Sequence, residues 1–184
     1  FAVAALSGHW LIPALRKLHF GQSILEIGPN WHKDKEGTPT MGGIMFIVGI
    51  LAASILAFIF LADATATEKI KYGSGLVMAL GYGLLGFIDD YTKIARKQNE
   101  GLTAKQKLIG QVLLAIMFLV GLEISGTLST TLIIPFIGQL DIGFLYYPLA
   151  VFIIVGASNA VNLTDGIDGL CSSVTFVCAC GFIV

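Results

Sequence analysis

Long apolar runs separated by short polar segments dominate this 184-residue sequence. The run from Ile44 to Leu61 contains eighteen residues without a charge, and Ser54 is its only polar side chain. A run of about 18 or more apolar residues indicates a membrane-spanning helix. About six apolar runs follow one another along the chain: Phe1–Leu15, Ile44–Leu61, Leu76–Ile88, Leu108–Leu122, Leu145–Ser158 and Leu170–Val184. This pattern predicts an all-α integral membrane protein, built as a multi-span helical bundle.

Several of these runs are shorter than the about 20 residues that a lone span requires. We therefore expect them to extend into their flanks, or to lie inside the bundle where small residues let helices approach closely. Tyr82 and its neighbours Gly81, Gly83 and Gly86 fit the second arrangement.

The segment 127–144, TLSTTLIIPFIGQLDIGF, differs from the apolar runs because it is rich in β-branched residues. Gly138 and Gln139 form a plausible turn, and Pro135 is typical of an edge strand. The sequence therefore predicts a small external β-hairpin. The alternative is a connector without regular structure.

The composition agrees with a membrane protein, since 55% of the residues are hydrophobic and only 12% are charged. Soluble domains carry about 25% charged residues, which argues against that class. We interpret residues 1–184 as a single transmembrane domain. The sequence begins with Phe1 and stops at Val184 within an apolar run, so we expect it to be a fragment of a longer protein.

Lysine and arginine are segregated along the chain, although its net charge is only −1. Four lie between Arg16 and Thr40 and five between Asp89 and Lys107, whereas none lies in the segment 123–146. Because these residues concentrate in cytoplasmic loops, the first two segments are predicted to face the cytoplasm. Counting spans forward places the segment 159–170, NAVNLTDGIDGL, on the same side.

Two adjacent acids, Asp89 and Asp90, directly follow the third apolar run. Like charges at this spacing repel, and a neighbouring apolar segment penalises ionisation. A hard cation offsets the repulsion, and magnesium typically binds one or two carboxylates together with substrate phosphates. The alternative is a solvated helix end with two ordinary acids. Asp165 and Asp168 on the same face, with nine basic residues in the surrounding loops, favour the magnesium-binding pair.

Further polar residues are expected at this face. Asn159 and Asn162 share a helix face if the fifth helix continues that far, and Asn offers both a donor and an acceptor to a nucleobase or sugar. Gly166 and Gly169 suggest a turn that lets backbone amides approach a ligand closely. The segment 35–43, KEGTPTMGG, predicts a rigid loop that exposes hydroxyls and main chain.

Lys35, Lys93 and Lys105 are natural partners for phosphate groups. Basic residues in a cytoplasmic loop also serve orientation or contact with anionic lipid, so each lysine alone is a weak signal.

Four segments together resemble the polyprenyl-phosphate N-acetylhexosamine-1-phosphate transferase superfamily, and more narrowly its phospho-N-acetylmuramoyl-pentapeptide transferase branch: GTPTMGG, GFIDDYTK, LTAKQKLIGQ and NAVNLTDGIDGL. They occur in the family's order, and the resemblance runs from about Arg16 to the end of the chain. It implies a many-helix, dimeric enzyme of the bacterial inner membrane that depends on Mg²⁺ and has a cytoplasmic active site. The implied reaction transfers phospho-MurNAc-pentapeptide from its UDP carrier to undecaprenyl phosphate. It releases UMP and forms lipid I for peptidoglycan synthesis.

By position, the resemblance makes Asp89 and Asp90 the catalytic pair and provisional Mg²⁺ ligands, with Asp89 as the base or nucleophile. It assigns a pocket for the nucleotide sugar, and for nucleoside inhibitors such as tunicamycin, to these positions: Lys35, Thr40, Lys93, Lys105, Asn159, Asn162, Asp165, Gly166 and Asp168. Asp168 is the candidate for pairing with the uracil edge. Family members continue through a further metal-binding acid and a histidine-rich loop, so the metal site is expected to be incomplete in these residues.

Two alternative functions stay open from the sequence. The first is the family branch that uses UDP-GlcNAc, although the motifs PTMGG and LTDGIDGL favour the muramoyl branch. The second is an ion-coupled transporter, which predicts acids near mid-membrane, whereas these acids cluster at helix ends. The sequence contains no Walker loop, dinucleotide fingerprint or serine-nucleophile elbow, and no nucleic-acid partner is expected.

Overall fold

The computed structural model describes residues 1–17, 40–96, 101–166 and 169–183. These residues are mostly helical and include one small two-stranded sheet. In chain order the elements are α1 (Ala2–Lys17), α2 (Ile44–Phe60), α3 (Ala66–Arg96), α4 (Ala104–Ile124), β1 (Thr131–Ile134), β2 (Gly138–Asp141), a 3₁₀ turn (Gly143–Leu145), α5 (Tyr146–Thr164) and α6 (Leu170–Ile183). Each apolar run coincides with one helix, which confirms the helical part of the sequence prediction.

Helix α3 extends well beyond its apolar run, as expected. The run Leu76–Ile88 lies within a helix of 31 residues, which is about 46 Å long at the α-helical rise. The helix begins where Thr65 and Glu68 satisfy each other's backbone amides, with Thr65 N to Glu68 Oε2 at 2.8 Å. Such reciprocal capping fixes a helix start, because the first amides of a helix have no partner within it.

Two helical segments of the described residues are long and apolar enough to cross a membrane, Ala104–Ile124 and Gly143–Thr164. The helices Ile44–Phe60 and Leu170–Phe182 are apolar but shorter. Many large apolar side chains on these helices are exposed, and the buried apolar residues in the described part are few: Leu15, Met41, Ala115, Leu119 and Val155. A helix that is apolar on all sides is typical of a lipid environment or of the core of a larger protein.

The chain divides into two compact units, Phe1–Leu128 and Ser129–Val184. In the first unit α1 packs on α2, α2 on α3, and α3 most extensively on α4. A Cβ at Gly81 would collide with the end of the Leu114 side chain of α4, so a larger residue here would force that side chain to move. Gly83 similarly faces Ile47, whereas nothing lies within 4 Å of a Cβ at Gly86. The expected role of small residues in close packing is therefore confirmed at the first two glycines.

The second unit contains the expected β-hairpin. Strands β1 and β2 pair antiparallel, with Thr131 opposite Asp141 and Ile134 opposite Gly138. The prediction of a turn at Gly138-Gln139 is wrong, because the turn is formed by residues 135–137 and Gly138 already pairs in β2. Pro135 also lies in this turn rather than in an edge strand, since its fixed φ and missing N–H suit the second position of a turn.

Candidate active site

The buried carboxylate of Asp89 is the centre of the candidate site in the first unit. It lies one residue beyond the apolar run of α3, and its side chain is only 11% exposed. Its Oδ1 accepts a hydrogen bond from the backbone amide of Leu102 at 2.9 Å. Its Oδ2 lies 3.1 Å from Lys93 Nζ and 3.2 Å from Lys107 Nζ. A charge taken out of water requires such compensation, and here three donors supply it.

Asp90 completes a four-membered charge cluster with the same lysine. Lys93 Nζ lies 2.9 Å from Asp90 Oδ1, and it therefore bridges the two adjacent carboxylates. The repulsion expected between neighbouring acids is offset by two ammonium groups, from Lys93 and Lys107. Both lysine side chains are about one-third exposed, at 35% and 29%, so a ligand can reach them.

The charge state of the cluster follows from these contacts. Burial raises the pKa of the Asp89 carboxyl, but hydrogen bonds from Lys93, the Leu102 amide and Lys107 outweigh burial and leave the pKa below its ordinary value. Burial lowers the pKa of Lys93, but its hydrogen bonds to Asp90 and Asp89 leave the pKa above its ordinary value. At neutral pH Asp89 is therefore an anion and Lys93 a cation.

The start of α4 positions two of the three donors to Asp89. Thr103 caps the helix and accepts from the backbone amide of Gln106, while the Gln106 side chain accepts from the Thr103 amide. This reciprocal cap fixes the direction in which the chain enters α4. Gly101 lies so close to Asp89 that a Cβ there would be 2.5 Å from Asp89 Oδ1. A side chain at this position would push the Leu102 amide away from the carboxylate.

Lys107 is the member of the cluster that the sequence interpretation missed. Lys105, which was predicted to contact phosphate, is exposed in the first turn of α4, and its role stays a prediction. Lys107 precedes Gly110, Gln111 and Leu114 by three, four and seven positions, so it shares their helix face. That face packs on α3, where Tyr82 Oη donates to the Gln111 carbonyl at 3.2 Å. This spacing points to Lys107 only once the packing of α4 on α3 is known, because the sequence of α4 does not show which stripe faces α3.

Four other predicted residues lie in the second unit. Helix α5 does continue to Thr164, so Asn159 and Asn162 share one helix face, as expected. The side-chain amide of Asn159 donates to the Val155 carbonyl at 2.8 Å, and Asn162 is exposed. Asp165 caps the end of the helix, and it is followed by exposed Gly166 in a turn.

The remaining predicted residues belong to the first polar segment and to the end of the second. Thr40 is partly buried and lies just before Met41, whose φ of 68° places it in the left-handed region. Lys35 and Asp168 lie outside the described residues.

The carboxylate pair is suited to a magnesium ion that substrate phosphates help to hold. Magnesium usually keeps water and binds one or two carboxylates plus phosphate oxygens. Asp90 suits this role best, because within the described part its only ion pair is to Lys93. Asp89 already accepts three donors. No group of three or more His, Cys, Asp or Glu side chains converges within the described ranges, so these residues alone make no closed metal site.

Three known proteins that share one name are similar to this chain over most of its length. The chain is 46% identical over 182 residues to the phospho-N-acetylmuramoyl-pentapeptide-transferase of Heliobacterium modesticaldum, covering 98% of this chain and 54% of that protein. It is 47% identical over 171 residues to the protein of the same name from Halalkalibacterium halodurans, covering 92% and 51%. The relative from Oceanobacillus iheyensis is 46% identical over 187 residues, covering 100% and 56%. The chain therefore spans about half the length of the curated relatives it matches.

Two family patterns also match. Residues 35–47 match signature 1 of phospho-N-acetylmuramoyl-pentapeptide-transferase, and this segment contains the PTMGG motif. Residues 72–184 match glycosyl transferase family 4, and this region includes Asp89, Asp90, both lysines of the cluster and the polar end of α5. The match extends over more than half of the chain, and the chain belongs to glycosyl transferase family 4.

Proposed function

We propose that the whole protein transfers phospho-MurNAc-pentapeptide from its UDP carrier to undecaprenyl phosphate, releasing UMP and forming lipid I in peptidoglycan synthesis. The observation that carries this proposal is the Asp89–Asp90 pair, bonded to Lys93 and Lys107 where the apolar run of α3 ends. Membership of glycosyl transferase family 4 and relatives named phospho-N-acetylmuramoyl-pentapeptide-transferase support it.

The proposal includes a multi-span membrane bundle in the bacterial inner membrane, with the active site facing the cytoplasm. Support comes from the two helices of spanning length and from the segregation of lysine and arginine. A lipid phosphate acceptor is confined to the membrane surface, so a charge cluster where an apolar run ends is well placed to meet it. A homodimer also belongs to the proposal, on the family resemblance alone.

The two lysines are proposed to neutralise the diphosphate of the nucleotide sugar. In the structure both ammonium groups contact Asp89, and both are partly exposed. An arriving diphosphate competes with Asp89 for these cations. As the lysines turn towards the phosphates, Asp89 loses ion-pair partners and becomes a better base or nucleophile. Catalysis of phosphoryl transfer is largely positioning and electrostatic stabilisation of this kind.

Two chemical routes are compatible with this arrangement. In the direct route Asp89 accepts a proton from the lipid phosphate, which then attacks the phosphorus that carries the sugar, while the bond from that phosphorus to UMP breaks and UMP leaves. In the covalent route a carboxylate oxygen of Asp89 attacks that phosphorus and expels UMP, and the lipid phosphate then displaces the aspartate. A burst of UMP in the absence of lipid acceptor would support the covalent route.

Magnesium is proposed as the cofactor, with Asp90 and then Asp89 as the ligands from the described residues. When bound with the diphosphate, it would polarise the phosphoryl oxygens and offset their charge. Asp90 suits this role because it is one-third exposed and shares only one ion pair within the described ranges.

The nucleoside part of the substrate is proposed to contact the polar end of α5 and the segments around it. Asn159, Asn162, Asp165 and Gly166 are candidates, together with Asp168 for the uracil edge. An Asn side chain offers both a donor and an acceptor to a base or sugar. Nucleoside inhibitors such as tunicamycin are expected to occupy the same pocket.

The transfer reaction is tested by measuring UMP release from the whole protein with UDP-MurNAc-pentapeptide, undecaprenyl phosphate and Mg²⁺. Asp89→Asn should lower turnover by a factor of about 10² to 10⁴, the usual cost of losing one well-placed acid or base. Lys107→Met should also lower it. The matched controls are Asp63→Asn and Lys69→Met, which change an exposed acid and an exposed base away from the cluster.

Near-native turnover in Asp89→Asn would remove Asp89 from the mechanism. UMP release with UDP-GlcNAc in place of UDP-MurNAc-pentapeptide would instead assign the protein to the alternative branch. Transport of an ion without any UMP release would support the transporter alternative.

A further inference from the structure

The β-hairpin of the second unit has one wholly apolar face and one mainly polar face. Residues directly opposite each other in an antiparallel pair lie on the same face of the sheet. Leu132 pairs with Leu140, and Ile134 lies two residues along β1 on the same side; these three residues form the apolar face. Thr131, Gln139 and Asp141 form the polar face, which also includes Ile133.

The tip of the hairpin is apolar and exposed. It consists of Pro135, Phe136 and Ile137, and the side chains of Phe136 and Ile137 are 108% and 79% exposed. Phe136 has a φ of 69°, in the left-handed region that favours glycine or asparagine. A bulky apolar residue in a strained and exposed position is unusual in water. Strain of this kind is a reason to look for a function at that position.

The hairpin is tied closely to the start of a candidate membrane span. The span covers Gly143–Thr164, only two positions after the last residue of β2. Asp141 Oδ1 accepts hydrogen bonds from Thr130 Oγ1 at 2.6 Å and from the Gly143 amide at 2.9 Å. These bonds join the residue before β1, the last residue of β2 and the first turn of the span, and they limit how far the hairpin can move from the span.

The residues around the hairpin favour a lipid surface over an acidic or basic protein partner. The hairpin carries a single charge, at Asp141, and the segment 124–184 contains no lysine or arginine. Attraction to anionic lipid is therefore absent, and any binding must come from apolar contact. Three aromatic residues follow the hairpin: the exposed Phe144, then Tyr146 and Tyr147. Aromatic residues are typical of the membrane–water interface.

We propose that this hairpin is an interfacial membrane anchor, with its apolar face and tip resting in the lipid surface beside α5. The proposal rests on the membrane-spanning role of α5 in the proposed function. The strands stay at the level of the lipid headgroups and glycerol, because the outer edges of a two-stranded sheet carry backbone groups that require water. Only the side chains of Phe136 and Ile137 reach the acyl chains.

Tryptophan fluorescence in lipid bilayers tests this placement. In the whole protein with its native tryptophans changed to phenylalanine, single tryptophans are introduced as Phe136→Trp, Gln139→Trp and Phe152→Trp. Gln139 is the matched control on the polar face of the same hairpin, and Phe152 is an exposed residue within α5. The proteins are reconstituted in phosphatidylcholine brominated either near the glycerol or near the chain end.

The tryptophan at position 136 should show blue-shifted emission and lose most of its intensity with bromine near the glycerol, and much less with bromine near the chain end. The Gln139→Trp protein should emit as in water and be quenched by iodide. Added salt or anionic lipid should change neither result, because apolar contact is the only attraction.

Each other outcome overturns the proposal in a recognisable way. Water-like emission at position 136, with quenching of the Phe152→Trp protein by deep bromine, would leave α5 in the membrane and the hairpin tip in water. Blue-shifted emission without quenching by either lipid would mean that protein covers the tip. Absence of lipid quenching in the Phe152→Trp protein would overturn the membrane-spanning role of α5 and the anchor together.

Discussion

Replacing Gly101 with alanine should weaken both the fold and the activity, because Gly101 fixes the distance between Asp89 and the start of α4. A Cβ at this position would lie 2.5 Å from Asp89 Oδ1 and 2.6 Å from the Asp89 backbone oxygen. A Cβ atom essentially never lies closer than 3.0 Å to a heavy atom outside its own residue and its two chain neighbours. The backbone oxygen belongs to α3 and cannot move without disturbing the helix. The chain entering α4 must therefore retreat, and the 2.9 Å bond from the Leu102 amide to Asp89 must lengthen.

The cost follows from two effects of one movement. Overpacking a tight site costs about 1–3 kcal/mol, and a hydrogen bond to a charged group contributes about 1.5–3 kcal/mol. Because the same movement causes both losses, they are not added. Alanine also restricts the unfolded chain, which returns about 0.4–1 kcal/mol. We expect a net destabilisation of about 2 kcal/mol, and a fall in turnover of up to about a hundredfold because the Asp89 carboxylate loses the amide bond that orients it.

Reversible unfolding in mixed micelles measures the first quantity, and UMP release measures the second. Gly86→Ala is the matched control. Gly86 lies in α3, the helix that carries Asp89, and nothing lies within 4 Å of a Cβ built there. That variant should be as stable as the native protein or up to about 1 kcal/mol more stable, since alanine favours a helix over glycine. Equal stability and full activity in both variants would refute the argument that Gly101 holds the Leu102 amide against Asp89.

Three further predictions concern other parts of the chain. The pKa of Asp141 is held below its ordinary value by hydrogen bonds from the Thr130 hydroxyl and the Gly143 amide. These bonds therefore stabilise the hairpin base at neutral pH, and the stabilisation is lost as the pH falls through the lowered pKa. Thr130→Val should move the Asp141 midpoint upwards in a carboxyl NMR titration, and an unchanged midpoint would show that the hydroxyl bond is not the cause. Cysteines introduced at Glu100 and Gly138 should be labelled from opposite sides of the membrane; labelling from one side would contradict the proposed topology. Asp168→Asn should weaken binding of uridine nucleotides more than binding of lipid phosphate, as measured by calorimetry, and equal losses would mean that Asp168 does not read the base.

The sequence alone determined where the helices lie and which residues make up the central acid pair. Apolar runs fold as helices because a helix satisfies its own backbone hydrogen bonds wherever water is excluded. Asp89 and Asp90 can be identified from the sequence because ionising two adjacent acids directly after an apolar run costs free energy unless a cation or a proton offsets their repulsion. The family match over residues 72–184 includes both positions.

The sequence contains the residues that place the hairpin turn, but the position predicted from them was wrong. Glycine is common in such turns, and Gly138-Gln139 was therefore the expected site. The turn forms instead at Pro135–Ile137, because the Ile137 amide bonds to the Ile134 carbonyl at 3.1 Å and Phe136 adopts a left-handed conformation. In a type II turn, proline is common at the second position and φ is positive at the third. The third position usually holds glycine or asparagine, whereas here it holds Phe136.

Only the tertiary structure decided which groups compensate Asp89. Helix α4 is apolar around most of its circumference, so its sequence does not reveal which stripe faces α3. The packing of Leu114 against Gly81 and of Leu85 against Gly110 fixes the rotation of α4, and that rotation directs Lys107 to Asp89. The Leu102 amide and the close approach of Gly101 likewise depend on the distance between two helices. Local preferences specify each helix, but the angle between helices follows from side-chain packing that no single segment contains.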